Sequence, residues 1–184
     1  MAAIFRTILD EIGAPLHRID LAQMEALCIA IAKARRVVVY GCGREALQIR
    51  GFAMRLYHLG LTVGVVGDMN CPPIETGDLF LATCGPGELA TVLALIDQAS
   101  KGGGTTAIIT AQASGSAAKY ADMVLTIPAQ TMATDQGPGE NSVLAMGSVF
   151  EGALFVLFEV MVLRLAELLS ATPEAMRARH TNME

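Results

Sequence analysis

The chain has no tryptophan, and aromatic residues make up only 5% of it, which argues against an aromatic platform for stacking sugars. Basic residues number 13 against 18 acidic ones, and the net charge of −5 leaves no electrostatic footprint for DNA, RNA or an anionic membrane. Cysteine is scarce: Cys28, Cys42, Cys71 and Cys84 show neither C-x-x-C nor histidine-rich spacing. Structural zinc and a disulfide scaffold are therefore disfavoured, no metal or other cofactor is expected, and reduced thiols in a cytoplasmic protein are the plain expectation. Long hydrophobic runs are missing too. The most apolar stretch, 153–163, contains Glu159 and is too short to span a bilayer. The first residues carry charges through their apolar positions, unlike a signal peptide.

What is present is a chain of 184 residues, 53% hydrophobic and 17% charged, enough for one domain with a sizeable core. Residues 37–60 open with a β-branched run, Val37-Val38-Val39, followed by the turn Gly41-Cys42-Gly43 and then a segment of helical spacing. Strand, glycine turn and helix are how an open α/β sheet builds a ligand crevice beyond a strand's carboxyl end.

The flanking segments extend that pattern. Residues 2–11 read as an amphipathic helix with Ile4, Phe5, Ile8 and Leu9 on one side, packed on a partner subunit or on its own domain. Asp20 opens a second helix, with Gln23 placed as in a capping box. Strands are expected at 36–40, 62–66, 78–83, 105–110 and 123–127, with helices at 88–100 and 116–121. The alternation argues for a three-layer αβα sandwich around a five-stranded parallel sheet, flavodoxin-like in arrangement. Residues 130–145 form a long polar loop, mobile or functional by its length. The longest helix, 148–169, follows it, and Thr172 and Pro173 start a last short one.

Several pieces together resemble the sugar isomerase (SIS) domain family, and within it the 6-phospho-3-hexuloisomerases. They are YGCGR at 40–44, GFAMRLYHLG at 51–60, the Gly67-Asp68 to Pro72 loop, the turn at 84–87, MGSVFE at 146–151 and RHTN at 179–182. The resemblance implies a single SIS domain over 1–184: N-terminal helices at 1–34, sheet core at 35–128, polar loop at 129–147, and long helix and tail at 148–184. It also implies metal-independent isomerisation of a sugar phosphate in a homotetramer, with no nucleic-acid or membrane partner. A proton moves between neighbouring carbons through an enediol, which takes one base and groups that steady an oxyanion. By resemblance, Glu151 and His180 carry the proton transfer. The substrate-binding walls are Gly41, Gly43, Arg44 and Glu45 on one side, with Thr83, Cys84, Gly85, Gly87 and Ser148 opposite.

The residues leave alternatives open. Ser148 and Glu151 fit S-x-x-E, so Glu151 closes a capping box, serves catalysis, or both. Helix 148–169 is about 33 Å long at about 1.5 Å per residue, so His180 cannot easily return to its own chain's Glu151, and a site using both draws on two subunits. His17 and His58 read as surface or packing histidines, Arg55 as half of an ion pair, and Cys84 as a packed thiol. Asp68 caps its own loop or meets substrate. Family members line the second turn with hydroxyls, whereas this chain has Cys84, Pro86 and Glu88 there and Glu45 after the first arginine. Thr83, Thr91, Ser142 and Ser148 are partial substitutes. A non-phosphorylated sugar, or a SIS-type sensor that binds a sugar derivative without turning it over, stays open beside the phosphosugar isomerase.

Overall fold

The computed structural model describes residues 1–136 and 142–183; residues 137–141 of the expected polar loop lie outside them. The strands are β1 (Arg36–Tyr40), β2 (Val63–Val65), β3 (Asp78–Thr83), β4 (Thr105–Thr110) and β5 (Met123–Thr126). They form one parallel sheet in the order β2-β1-β3-β4-β5. The helices are α1 (Ala2–Leu16), α2 (Leu21–Lys33), α3 (Gly43–His58), α4 (Ala90–Lys101), α5 (Ser116–Tyr120), α6 (Ser148–Leu168) and α7 (Pro173–Ala178).

The period of two in the strands sorts the core into two layers. Val37, Val39, Leu79, Leu81, Ala107 and Ile109 face a cluster built from α2, α3 and α6. Their alternates Val38, Phe80, Ala82 and Ile108 face α4 and α5. Both faces are covered, which is why these strands read as near-continuous apolar runs. In the first cluster Phe52 of α3 stacks on Phe158 of α6, with ring centroids 4.3 Å apart and planes 9° from parallel. At the amino end of β3 the buried Asp78 is held by Arg35 at 3.0 Å and Arg36 at 2.8 Å. Burial raises its proton affinity, but the arginine hydrogen bonds outweigh that and hold its carboxyl below the usual range. This network lies at the opposite end of the strand from the glycine turn.

Four local expectations are corrected. Helix α1 runs on to Leu16, through Gly13 and Pro15, because Ile12 and Leu16 pack on the core cluster. Strand β2 shortens to three residues, although its flanks still hydrogen-bond β1. Helix α4 starts at Ala90, since Leu89 is extended and Glu88 takes the Ser116 hydroxyl at 2.9 Å. Asp20 does cap α2, accepting the Ala22 N–H at 2.8 Å, but Gln23 does not close the box. Its side-chain oxygen accepts the Thr126 N–H of β5 at 3.2 Å instead.

Candidate active site

Strands β1 and β3 are neighbours, yet the chain visits β2 on the far side of β1 between them. Their carboxyl ends therefore flank the topological switch point, where open α/β sheets take ligands. A cavity of about 310 Å³ opens there. Cys42, Gly43, Arg44 and Glu45 reach it from the β1 side, and Pro86 and Leu89 from the β3 side. Thr131 and Met132 close it beyond β5, and Met146, Gly147, Phe150 and Glu151 line it from the start of α6.

Glu151 does not serve as half of a capping box. The residue that caps α6 is Gly147, in the left-handed region at φ 78°. A side chain there would be strained and would meet the Met132 backbone nitrogen at 3.1 Å, so glycine both turns the chain and seats loop 131–132 on the helix. Ser148 is thereby the first helical residue, and its hydroxyl donates to the Ala145 carbonyl at 2.8 Å. The Glu151 carboxylate instead lies 3.0 Å from Arg44 Nε. Arg44 also donates to Ser148 Oγ at 2.9 Å and to the Met146 carbonyl. Burial raises the proton affinity of Glu151 and the Arg44 charge lowers it, with a net upward shift. An inward carboxylate with raised pKa, beside a cavity, is what a general base requires.

Glu45 also borders the cavity, but its carboxylate is committed to the β3 turn. It is only 8% exposed, and both carboxylate oxygens accept the Gly85 N–H at 3.1 Å. Burial raises its pKa; the Gly85 N–H and the nearby Thr83 hydroxyl oppose that, and Glu151 adds to it. The sequence places Glu45 in the substrate wall as a charge unfavourable to phosphate. In the fold it lines the cavity and also ties α3 to the β3 turn. A Cβ on Gly85 would sit 2.8 Å from Glu45 Oε1 and 2.9 Å from the Phe150 ring, so the carboxylate needs glycine there. Thr83, Cys84, Gly85 and Gly87, expected in the substrate wall, are all buried and are not among the residues lining the cavity, nor is Gly41, which packs against the Thr83 hydroxyl. Burial, then Glu45, push the Cys84 thiol up to about 12, which keeps it protonated. Ser142 donates to Glu11 of α1 at 2.5 Å and so anchors the polar loop. Asp68 pairs with Arg50 at 2.6 Å, and Arg55 with Glu159 at 3.6 Å.

His180 lies elsewhere. It follows α7, and its ring stacks on buried His58 at a centroid distance of 5.4 Å. Arg179 beside it donates to the His58 carbonyl at 3.1 Å. Arg44 begins α3 and His58 ends it, a separation of about 21 Å at about 1.5 Å per residue. One chain thus brings Glu151, Arg44, Glu45 and Gly43 together and leaves His180 out. Sequence reasoning missed Thr131, Met132 and Phe150 as cavity walls. Phe150 stood inside the MGSVFE motif, while Thr131 and Met132 carried no signal beyond membership of a long polar loop. Among the described residues no cluster of His, Cys, Asp and Glu could hold a metal ion, and no helix is long and apolar enough to cross a membrane.

Known proteins resemble this chain in sequence and in fold. A protein of Mycobacterium gastri named 3-hexulose-6-phosphate isomerase is 37% identical over 175 residues, 95% of this chain and 87% of that one. One of the same name from Bacillus subtilis is 30% identical, covering 96% and 95%. A solved structure from Methanococcus jannaschii, from which a 3-hexulose-6-phosphate isomerase function was inferred, superposes with a TM-score of 0.83. It is 23% identical and covers 96% of this chain and 98% of that one, a likeness of fold. The SIS domain profile matches residues 30–156, from the end of α2 through the first turns of α6. That span holds the whole parallel sheet, both turns at the switch point and Glu151, and the chain belongs to the SIS domain family.

Proposed function

We propose that the protein isomerises a ketohexose phosphate of the kind named for its relatives, moving a proton between adjacent carbons through an enediol, with Glu151 as the base. The observation that carries this is the Glu151 carboxylate itself: turned into the switch-point cavity, raised in proton affinity by burial, and oriented by Arg44. A carboxylate so placed takes a carbon-bound proton and returns it to the neighbouring carbon.

His180 assists from a second subunit, in ring opening or in the proton shuttle. The surface offers apolar faces for an oligomer. Ile4, Phe5 and Leu9 of α1 are exposed, as are Phe155, Val160 and Leu163 of α6, and α1 and α6 pack on each other. Apolar faces of this kind mark subunit contacts. A homotetramer with shared sites fits them, and its four free cysteines suit a cytoplasmic setting.

The test is deuterium exchange. The protein is incubated in deuterated water with ketose and aldose phosphates and their free sugars, and carbon-bound deuterium is followed by NMR. Exchange that falls by about 10²–10⁴-fold in Glu151→Gln is expected. Binding without exchange would make the protein a sensor, and exchange undiminished in Glu151→Gln would remove Glu151 as the base.

A further inference from the structure

Within residues 84–87 of the turn after β3, every backbone N–H already has an acceptor. The N–H of Cys84 goes to Ile109, that of Gly85 to Glu45 and that of Gly87 to the Cys84 carbonyl, and Pro86 has none. Among the described residues that line the cavity, Arg44 is the one cation. It is reachable, with 48% of its side chain exposed. It meets Glu151 at Nε, while its two terminal nitrogens donate to the neutral acceptors Ser148 Oγ and the Met146 carbonyl.

From these contacts we infer that Arg44 binds the anionic end of the sugar phosphate and, in turning to it, releases Glu151, so that recognition of the substrate and activation of its base are one exchange of an ion pair. This rests on the isomerase reading above and adds where the phosphate goes. A phosphate offers the guanidinium two parallel charge-assisted hydrogen bonds in exchange for the carboxylate contact and two neutral acceptors, Ser148 Oγ and the Met146 carbonyl. Facing Glu151 from α3 and its cap are Arg44, Glu45 and the Cys42 thiol; among the described residues, the turns after β3 and β5 present no charged side chain to the cavity. Once Arg44 leaves, burial acts on Glu151 without the Arg44 charge to oppose it, and it becomes the stronger base. Arg44 is a binding and positioning residue, and the proton itself passes through Glu151.

The test follows the Glu151 side-chain carboxyl by ¹³C NMR across pH, with its signal identified by its loss in Glu151→Gln. Saturating inorganic phosphate should raise the Glu151 midpoint by about one pH unit in the unmodified protein. In Arg44→Gln the midpoint should already be raised and should not respond to phosphate, whereas Arg44→Lys should restore the lower midpoint and the response. A midpoint that phosphate leaves unchanged in the unmodified protein, or Gln and Lys variants that behave alike, would overturn the proposal. In a parallel assay, inorganic phosphate should accelerate deuterium exchange into the unphosphorylated sugar about tenfold, and not in Arg44→Gln. If no sugar exchanges under any condition, the isomerase reading fails while the carboxyl titration still decides the ion-pair exchange.

Discussion

Mixing two inactive variants should restore activity. Within one chain, Arg44 holds Glu151 at the start of α3, while His180 stacks on His58 at its end, about 21 Å away. No side chain spans that gap, so a site that uses both takes Glu151 from one subunit and His180 from another. Glu151→Gln alone and His180→Ala alone should each lower turnover by about 10²–10⁴-fold. When equal amounts are unfolded together, refolded and allowed to assort at random, a site needs Glu151 from a His180→Ala subunit and His180 from a Glu151→Gln subunit. About a quarter of sites meet both conditions. The mixture should therefore recover about a quarter of the unmodified activity, read by carbon-bound deuterium incorporation with size-exclusion chromatography to confirm that mixed oligomers form. Mixed oligomers without recovery would refute a site shared across the boundary.

Activity should also fall on acidification earlier than an ordinary carboxylate would impose. Burial sets Glu151 above its usual value, so the reactive deprotonated form is lost as pH falls through that raised value, and a kcat–pH profile reads the midpoint. Glu45→Ala should destabilise the fold by about 1–3 kcal/mol in urea titrations, because it leaves the Gly85 N–H buried without an acceptor. Glu45→Gln, which retains a carbonyl oxygen, should cost less. Phe158→Ala should cost about 3–5 kcal/mol in the same assay, since it removes the stack on Phe52 that joins α3 to α6 at the centre of the larger core cluster.

The sheet was legible because its strands are buried on both faces. Runs such as Val37-Val38-Val39 and Leu79-Phe80-Leu81 announce themselves without any knowledge of their neighbours. The glycine turns at both sides of the switch point were legible for the same local reason. Side-chain partners at long range were not. Gln23 sat at the right spacing for a capping box, but its acceptor serves Thr126, 103 residues away. The helix start at 148 was legible, but the S-x-x-E spacing suggested a Ser148–Glu151 capping box, whereas the left-handed Gly147 takes the cap and Glu151 pairs with Arg44. Helix α1 was read short because Gly13 and Pro15 are local stop signals, and contact with α6 outweighs them.

Glu45 shows most clearly what local pattern leaves open. Consecutive residues on a helix point about 100° apart, so Arg44 and Glu45 cannot face the same way. Both border the crevice, but Gly85, forty residues on, fixes where the Glu45 carboxylate goes, because its N–H and missing side chain make room for it under the β3 turn. That choice has a chemical consequence. With Glu45 inside, the turn is self-neutralised and an incoming anion is directed to Arg44, the same cation that Glu151 uses. Anion and base thus compete for one guanidinium. The competition is measurable as a double-mutant cycle: the effect of Glu151→Gln on inorganic phosphate affinity should be large with Arg44 in place and vanish in Arg44→Gln. Equal effects in both backgrounds would mean that the anion and Glu151 do not share the arginine.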